Sequence, residues 1–249
     1  MPKRASIILA AGKGTRMKSD LPKVLHRVGG VPMINHVLAS AKKAGLSKNI
    51  IVVGHMSELV EKEICDQGKC VTQNEQKGTG HAVLIAKDNF TDPNETVVVL
   101  CGDAPLVRPE TIKKLMDYHE STGADATVLT AILDNPYAYG RIVRDDEGHL
   151  EKIVEEKDAS KDEKKIMEVN TGTYCFRAGA LFDALTQVGN DNAQGEYYLP
   201  DVLEIIRKKG GTIRVMSDSD ATEVLGVNTL EQLAEVEKIY QKRRKGAKA

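Results

Sequence analysis

The sequence has few cysteines, no excess of charge of either sign and no long apolar run. Its four cysteines, Cys65, Cys70, Cys101 and Cys175, form no Cys-x-x-Cys pair. This excludes a disulfide framework or a cysteine-based zinc site and fits a reducing cytosol. The six histidines show no His-Glu-x-x-His spacing, so no zinc-hydrolase motif is present. The net charge of −1 gives no reason to expect nucleic-acid or membrane binding, since both usually need a basic excess.

No apolar stretch reaches the ~18 residues that a membrane span needs. The chain begins with Met1-Pro2-Lys3-Arg4, and the apolar run that follows at 7–11 is too short for a signal peptide. These features predict a soluble, cytoplasmic protein. Its 249 residues, 41% of them hydrophobic, are enough for one α/β domain of the larger kind.

Strands and helices are predicted to alternate through the first half of the chain. The strands are near-continuous apolar runs, which predicts a mostly parallel sheet covered on both faces. Right-handed crossovers then make the sheet doubly wound. In the second half, the apolar runs 141–144 and 150–155 flank the turn Asp145-Asp146-Glu147-Gly148, which predicts a β-hairpin. Further strands are predicted at 6–11, 49–53, 70–73, 96–100, 125–133, 168–176 and 212–216, and helices at 33–41, 59–64, 80–90, from 109, 199–207 and 230–243.

The first candidate site follows the first strand, at Leu9-Ala10-Ala11-Gly12-Lys13-Gly14-Thr15-Arg16-Met17. Small residues let backbone N–H groups approach a triphosphate, and Lys13 and Arg16 add positive charge. The segment does not have the pattern Gly-x-x-x-x-Gly-Lys-Ser/Thr, so it is not a Walker P-loop. It is not a dinucleotide fingerprint either, because Met17 stands where the third glycine would be. A tight turn between strand and helix explains the glycines equally well. Spacing alone leaves both interpretations open.

Two further segments carry polar groups suited to a nucleotide. Pro22 fixes the backbone just before Lys23, and a rigidly held lysine can neutralise phosphate charge in a transition state. The segment 73–81 (Gln-Asn-Glu-Gln-Lys-Gly-Thr-Gly-His) offers amide and backbone groups that can read a nucleobase edge. The alternatives are a solvated surface lysine and a loop in which Thr79 caps the next helix.

Asp103 and Asn228 are candidate ligands for a metal. Asp103 lies just beyond the carboxyl end of the most apolar strand, where ligands bind in open α/β sheets, and a carboxylate there suits Mg²⁺. It could instead be a turn residue ahead of Pro105. Asn228 precedes the last helix, and its position favours the interpretation that it is the N-cap of that helix, with Glu231 placed for a capping box. Its side-chain oxygen could also complete a metal shell.

Taken together, these segments resemble the sugar-nucleotide pyrophosphorylases, and among them the uridyltransferase domains of the bifunctional bacterial GlmU enzymes. The opening loop and Leu21-Pro22-Lys23 carry the general resemblance, which covers about residues 5–240. Four segments narrow it, namely 78–82 (Gly-Thr-Gly-His-Ala), 139–142 (Tyr-Gly-Arg-Ile), 153–159 (Ile-Val-Glu-Glu-Lys-Asp-Ala) and 192–198 (Asn-Ala-Gln-Gly-Glu-Tyr-Tyr). The implied fold is the Rossmann-like, doubly wound nucleotide-diphospho-sugar transferase type, with the hairpin in the sugar-binding half.

The resemblance implies Mg²⁺-dependent transfer of the uridylyl group of UTP to N-acetylglucosamine 1-phosphate, giving the cell-wall precursor UDP-N-acetylglucosamine and pyrophosphate. Arg16, Lys23 and Asp103 would be catalytic, and Asp103 and Asn228 would bind Mg²⁺. The nucleotide would be held by Leu9, Ala10, Ala11, Gly12, Lys23, Gln73, Gly78, Thr79 and Gly102. The sugar phosphate would be held by Gly140, Glu155, Asn170, Thr171 and Asn228.

The sequence departs from the resembling enzymes in two respects. Those enzymes continue into a left-handed β-helix acetyltransferase domain, whereas this sequence contains no hexapeptide repeat. We therefore expect a nucleotidyltransferase domain at 1–228, a helix and basic tail at 229–249, no acetyltransferase activity and an oligomeric state that is open. The second departure is Cys101, where many relatives are expected to have Tyr, a change that could alter base packing.

Three rival functions stay open. The chain could be a pyrophosphorylase for another pair of nucleotide and sugar phosphate, because the opening signature is shared. It could be a non-catalytic nucleotide sensor on the same fold, against which an intact set of Lys23, Asp103 and Asn228 weighs. It could also be a structural partner protein, which predicts an exposed apolar patch.

Overall fold

The computed structural model describes residues 3–217 and 220–246. The strands in these residues are β1 (Arg4–Ala10), β2 (Arg27–Val28), β3 (Val31–Pro32), β4 (Lys48–Val53), β5 (Lys69–Thr72), β6 (Thr96–Cys101), β7 (Ala126–Ile132), β8 (Arg141–Arg144), β9 (Leu150–Val154), β10 (Glu168–Arg177) and β11 (Ile213–Ser217). The helices are α1 (Met33–Lys43), α2 (Ser57–Ile64), α3 (Thr79–Ile85), α4 (Pro109–Ser121), α5 (Ala178–Leu185), α6 (Asp201–Lys208) and α7 (Leu230–Gly246).

A central sheet of nine strands organises the part of the chain that the structure describes. Seven of its strands follow in the order β11-β7-β10-β6-β1-β4-β5, and β8 and β9 form a hairpin attached to β10. Strands β6, β1, β4 and β5 are parallel, as are β7 and β11. The chain moves from β1 outward through β4 to β5 and returns to β6 on the other side of β1. This reversal opens a crevice at the carboxyl ends of β1 and β6, the place where such sheets bind ligands.

The apolar strands alternate between two hydrophobic clusters, one on each face of the sheet. In β1, Ile7 packs with the cluster that contains α3, α5 and α6, while Ile8 packs with the cluster that contains α1, α2 and α4. Strand β6 alternates in the same way through Val97 and Val98. Because both faces are covered, the strands read as continuous apolar runs. The predicted doubly wound α/β fold is confirmed.

The structure adds three features to the prediction. Strand β10 runs antiparallel to both β6 and β7, so the sheet is mixed. Helix α5 and the short β2–β3 ribbon were not predicted. The predicted hairpin is present as β8 and β9, with four paired positions that run from Arg141↔Val154 to Arg144↔Leu150.

Helix α7 packs against the β2–β3 ribbon. Val236 is buried in a third apolar cluster with Val28 and Met33. The N–H of Gly29 donates to Glu237 Oε2 at 2.6 Å. Gly29 has a left-handed φ of +58°, and a Cβ there would lie 2.1 Å from the α7 ring of Tyr240. These contacts hold α7, which follows the loop that carries Asn228, against the ribbon.

Some predictions concern residues outside those described. The predicted N-terminal start includes residues 1–2, and the predicted basic tail includes residues 247–249, all of which lie outside the described ranges. The boundary between 228 and 229 stays a prediction. No helix within residues 3–217 and 220–246 is long and apolar enough to cross a membrane.

Candidate active site

Two adjoining cavities occupy the crevice. The first has a volume of about 510 Å³ and lies at the carboxyl ends of β1, β5 and β6. The second has a volume of about 300 Å³ and lies between β6, β10 and the hairpin loops. Leu9, Thr79, Cys101 and Asp103 line both. The two cavities therefore form one continuous cleft with a shared middle.

The loop after β1 forms one wall of the first cavity. In the described part of the chain, the backbone N–H groups of Gly12, Lys13 and Gly14 donate to no other protein group. Gly14 has a left-handed φ of +61°, and a Cβ there would lie 2.7 Å from the Cβ of Lys23. Free N–H groups beside basic side chains make this loop a suitable anion site.

The segment after β5 forms the opposite wall of this cavity. Gln73 is buried, and its Nε2 lies 3.1 Å from Gly78 O and 3.0 Å from His81 Nδ1. The hydroxyl of Thr79 accepts a hydrogen bond from the N–H of Leu199 at 3.0 Å, so the alternative in which Thr79 caps α3 is wrong. Thr79 instead ties the first cavity to the segment that precedes α6.

Lys23, Asp103 and Asn228 meet between the two cavities. Lys23 lies in a one-turn 3₁₀ helix, which is anchored by the buried side chains of Val24 and Leu25. Its Nζ forms an ion pair with Asp103 Oδ2 and donates to Asn228 Oδ1 at 3.0 Å. The side chains of Lys23 and Asp103 are each only 17% exposed. The cleft thus places one carboxylate, one amide oxygen and one ammonium at its centre.

Asn228 is held in the cleft by the loop before α7. Its neighbour Val227 donates its N–H to the backbone oxygen of Asp103 at 2.9 Å. The cap of α7 is Thr229, whose hydroxyl accepts from the N–H of Gln232 at 3.3 Å, while Gln232 Oε1 accepts from the N–H of Asn228 at 2.7 Å. The interpretation of Asn228 as the N-cap is therefore wrong, because the capping pair is displaced by one residue. The Asn228 side chain is left to bind Lys23 and Arg16.

All five predicted sugar-site residues line the second cavity: Gly140, Glu155, Asn170, Thr171 and Asn228. Gly140 directly precedes the β8–β9 hairpin, and Glu155 directly follows it. An irregularity in the pairing of β10 with β7 between Asn170 and Tyr174 includes Gly172 at a φ of +75°. Such bulges redirect side chains next to functional sites. Here the bulge exposes Asn170 and Thr171 to the cavity.

Glu155 is the most perturbed carboxyl group of this cavity. Burial, followed by the carboxylates of Asp201 and Asp158, raises its pKa to about 7, while Arg141 acts in the opposite direction. Burial also raises the pKa of Asp201 to about 6, with help from Glu204 and Asp158. Within the described residues, no side chain or backbone group donates a hydrogen bond to the Glu155 carboxylate. That carboxyl group is therefore available to a ligand in the cavity.

Two predicted residues act beside the cavities rather than in their walls. Arg16 lines neither cavity, but its Nη2 donates to Asn228 Oδ1 at 2.9 Å. Gly102 lies behind the first cavity, where its N–H donates to Leu9 O at 2.9 Å and a Cβ would meet the same oxygen. The remaining predicted nucleotide residues, Leu9, Ala10, Ala11, Gly12, Lys23, Gln73, Gly78 and Thr79, all line the first cavity.

Tyr139, Glu196 and Tyr174 are among the lining residues that were not predicted as site residues. Tyr139 lines the second cavity and its hydroxyl accepts from the N–H of Gly226 at 3.4 Å. Glu196 lines the first cavity, and Tyr174 lines the second. Tyr139 and Glu196 belong to segments that carry the family resemblance, which was a usable signal. Tyr174 is one apolar position of a strand, and its pattern gave no such signal.

Cys101 lies at the shared middle of the cleft and lines both cavities. Its Sγ–H donates to Gly172 O at 3.5 Å. Burial, assisted by the charge of Asp103, raises the pKa of the Cys101 thiol to about 12. The thiol therefore stays protonated at neutral pH and is a poor nucleophile.

The donor groups at the centre of the cleft fit a divalent cation. Asp103 and Asn228 supply a carboxylate and an amide oxygen, and both already bind one cation, the ammonium of Lys23. Hard divalent cations prefer such oxygens together with water and substrate phosphate. No group of three or more His, Cys, Asp or Glu side chains that could hold a metal occurs in the described ranges. A cation here would thus complete its shell with water and substrate oxygens.

A cleft with a free-amide loop, a paired lysine and oxygen donors at the carboxyl ends of a doubly wound sheet defines a nucleotidyltransferase. Comparison with known proteins supports this class. The chain belongs to the MobA-like NTP transferase domain family, whose model matches residues 6–170. Use of a divalent metal is general among nucleotidyltransferases.

Individual relatives confirm the predicted resemblance. The chain is 51% identical over 243 residues to the bifunctional protein GlmU of Heliobacterium modesticaldum. The alignment covers 98% of this chain and 53% of that protein. The chain is 53% identical over 243 residues to the bifunctional protein GlmU of Shouchella clausii, with 98% of this chain and 54% of that protein aligned. The chain thus spans about half the length of the curated relatives it matches.

Solved structures share the fold at low sequence identity. A UDP-glucose pyrophosphorylase in complex with UDP-glucose matches with a TM-score of 0.74 and 20% identity, over 98% of this chain and 100% of that one. A Bacillus anthracis protein described as a glucose-1-phosphate thymidylyltransferase, in complex with sucrose, matches with a TM-score of 0.77 and 21% identity, over 95% and 94% of the two chains.

Proposed function

We propose that the chain transfers the uridylyl group of UTP to N-acetylglucosamine 1-phosphate and releases pyrophosphate. The observation that carries this proposal is the continuous cleft, in which the Lys23, Asp103 and Asn228 cluster lies between the two cavities. Two anionic substrates can lie end to end there, with their phosphates at the cationic centre. The similarity of about half of each GlmU protein to this chain supports the choice of substrates.

The first cavity is proposed to hold UTP. The loop of Leu9, Ala10, Ala11 and Gly12 would bind the nucleotide through backbone groups, and Gln73, Gly78 and Thr79 would face the uracil. Gly102 would keep the start of the following loop close to β1. Lys23 and Arg16 would lie beside the triphosphate.

The second cavity is proposed to hold the sugar phosphate. Gly140, Asn170 and Thr171 would bind the N-acetylated sugar through their backbone or side-chain polar groups. Glu155 would hydrogen-bond a sugar hydroxyl, since its carboxyl group has no protein donor in the described residues. Asn228 would face the sugar phosphate and the metal together.

The chemistry follows from the charges in the cleft. A phosphate oxygen of the sugar phosphate attacks the α-phosphorus of UTP, and pyrophosphate leaves from the opposite side. Holding the two reactants together supplies much of the rate enhancement. Lys23, Arg16 and the free N–H groups of the first loop stabilise the negative charge that develops. No covalent nucleophile is needed, and the protonated Cys101 does not provide one.

The proposed metal is Mg²⁺, held by Asp103 and Asn228. When bound, it neutralises phosphate charge as a Lewis acid. In the free protein the Lys23 ammonium lies against both ligand oxygens. Lys23 is proposed to turn from these oxygens to a substrate phosphate when the nucleotide enters.

The proposed cellular setting is the cytoplasm, where UTP is available and where the four free cysteines stay reduced. The product would be UDP-N-acetylglucosamine. Oligomeric state and any partner other than the substrates form no part of the proposal.

The test is pyrophosphate release with Mg²⁺ across a matrix of substrates. UTP, dTTP, CTP and GTP are each paired with N-acetylglucosamine 1-phosphate, glucose 1-phosphate and glucosamine 1-phosphate. We expect UTP with N-acetylglucosamine 1-phosphate to exceed every other pair by at least about tenfold, or roughly 1.4 kcal/mol of transition-state preference. A different best pair would overturn the substrate assignment. UTP binding without pyrophosphate release from any pair would favour the nucleotide sensor.

A further inference from the structure

Arg141 is a buried cation at the start of strand β8, directly behind the second cavity. Its side chain is 2% exposed. In the sheet it pairs with Val154 on β9 and with Val169 on β10. The residues next to it and to these partners, namely Gly140, Glu155 and Asn170, all line the cavity. Arg141 is therefore adjacent to the three chain segments that carry Gly140, Glu155 and Asn170.

The guanidinium of Arg141 links two of these segments. Its Nη1 donates to the backbone oxygen of Tyr139, and its Nη2 donates to Glu156 Oε2 at 2.7 Å. The same carboxylate oxygen accepts from the N–H of Ala138 at 3.3 Å. The Arg141–Glu156 pair thus joins the loop before β8 to the turn after β9.

This linkage holds a strained backbone. Ala138 has a φ of +69°, a left-handed conformation that non-glycine residues adopt only when their surroundings impose it. Ala138, Tyr139 and Gly140 all line the second cavity. A Cβ on Gly140 would lie 3.2 Å from Glu155 Oε1, so the two segments also touch each other. A change in either one would alter the shape of the cavity.

We propose that Arg141 and Glu156 are positioning residues that set the shape of the sugar-phosphate subsite without touching the substrate. This inference rests on the proposed function of the second cavity. Neither residue lines a cavity, so both act through Ala138, Gly140 and Glu155. Their loss should weaken binding of the sugar phosphate and leave binding of the nucleotide in the first cavity unchanged.

The hairpin contains a matched control in the pair Arg144–Glu168. Arg144 lies three residues further along β8. Its Nε donates to Glu168 Oε2 at 2.8 Å, and its Nη2 donates to Glu168 Oε1 at 2.7 Å. The chemistry is the same, but Arg144 is 36% exposed and neither residue lines the cavities. A general effect of losing an arginine–glutamate pair on this hairpin would appear in both pairs.

The experiment compares Arg141→Lys with Arg144→Lys, and Glu156→Ala with Glu168→Ala. Lysine keeps the charge but lacks the fork that binds Tyr139 O and Glu156 together. For Arg141→Lys and Glu156→Ala we expect the KM for the sugar phosphate to rise at least tenfold, equivalent to about 1.4 kcal/mol. The KM for UTP and both KM values of the control variants should stay within about twofold of the starting protein, a change well below that tenfold.

Several results would overturn the positioning role. They are equal changes in the two KM values, a similar effect in the control variants, or an unchanged KM for the sugar phosphate. If Arg141→Lys does not fold, Glu156→Ala decides, because the Glu156 side chain is 20% exposed and easier to replace. The unsubstituted chain separates the two proposals. If the unsubstituted chain turns over UTP with N-acetylglucosamine 1-phosphate, while Arg141→Lys and Glu156→Ala have the same KM values as their control variants, only the positioning role fails. If the unsubstituted chain turns over no pair of substrates, the proposed function and the positioning role both fail.

Discussion

Glu155→Gln should stabilise the substrate-free protein at alkaline pH. The pKa of Glu155 is raised from the usual 4.5 to about 7, chiefly by burial and then by the carboxylates of Asp201 and Asp158. The folded protein therefore holds a proton at Glu155 that the unfolded chain releases at lower pH. Glutamine is neutral at every pH and nearly the same size, so it removes this penalty without opening a cavity.

The sign and size follow from linkage. A raised pKa contributes stability that is complete below about pH 4.5 and is lost as the pH rises through about 7. At about 1.4 kcal/mol per pKa unit, the shift from 4.5 to about 7 corresponds to about 3 kcal/mol. Most of this difference should develop between pH 5 and pH 8.

The measurement is urea unfolding of the original chain and Glu155→Gln at pH 5, 6, 7 and 8. The free energy of unfolding of the variant should exceed that of the original chain by an amount that grows with pH and approaches about 3 kcal/mol. Glu151→Gln is the control, because Glu151 is an exposed carboxylate on β9, the strand that Glu155 follows. The raised pKa of Glu155 would be contradicted if the gain in the free energy of unfolding of Glu155→Gln were constant from pH 5 to pH 8. A gain no larger than that of Glu151→Gln would contradict it as well.

Three further predictions concern the first cavity and the centre of the cleft. Lys23→Ala and Asp103→Ala should each lower turnover by at least ~100-fold with the fold intact by circular dichroism, and near-normal turnover would remove that residue from the mechanism. Without nucleotide, Lys23→Met should bind Mn²⁺ at least about tenfold more tightly than the original chain, because the substitution removes the ammonium that contacts both metal ligands and repels the cation. Two unit charges 4 Å apart interact by about 4 kcal/mol near a protein surface. Titration followed by electron paramagnetic resonance tests this, and equal affinity would contradict the contact of Lys23 with the metal ligands. Gly78→Ala should weaken UTP binding in calorimetry more than Gly148→Ala does, because both glycines have positive φ but only a Cβ at Gly78 would lie 2.6 Å from a backbone oxygen, that of Tyr197.

The elements with simple periodicity were predictable from the sequence. Strands β1, β4 and β6 are continuous apolar runs because both faces of the sheet are covered, and such runs have little other interpretation. The direction of β10 was not predictable, because its residues pack on both faces whichever way the strand runs. Helix α5 was missed because Ala178–Leu185 is short and apolar on most sides, so its pattern lacks a polar face.

The candidate site was predictable where a backbone motif dictates it and uncertain where side chains have two uses. The loop at Leu9–Gly12 and Asp103 follow directly from strand ends. Asn228 could equally cap α7 or enter the cleft, and the answer depended on Thr229 and Gln232 forming the cap one residue later. The role proposed for Arg141 depends on pairings between three strands, which no local pattern contains.

Direct transfer of the uridylyl group between the two adjoining subsites fixes the stereochemical outcome at the α-phosphorus of UTP. UTP that carries a chiral sulfur substitution at the α-phosphate would be converted with N-acetylglucosamine 1-phosphate, and the configuration of the product determined by ³¹P nuclear magnetic resonance. A single in-line displacement across the shared middle of the cleft predicts inversion. Retention would mean two displacements through a covalent enzyme intermediate, which would contradict direct transfer from UTP to the sugar phosphate.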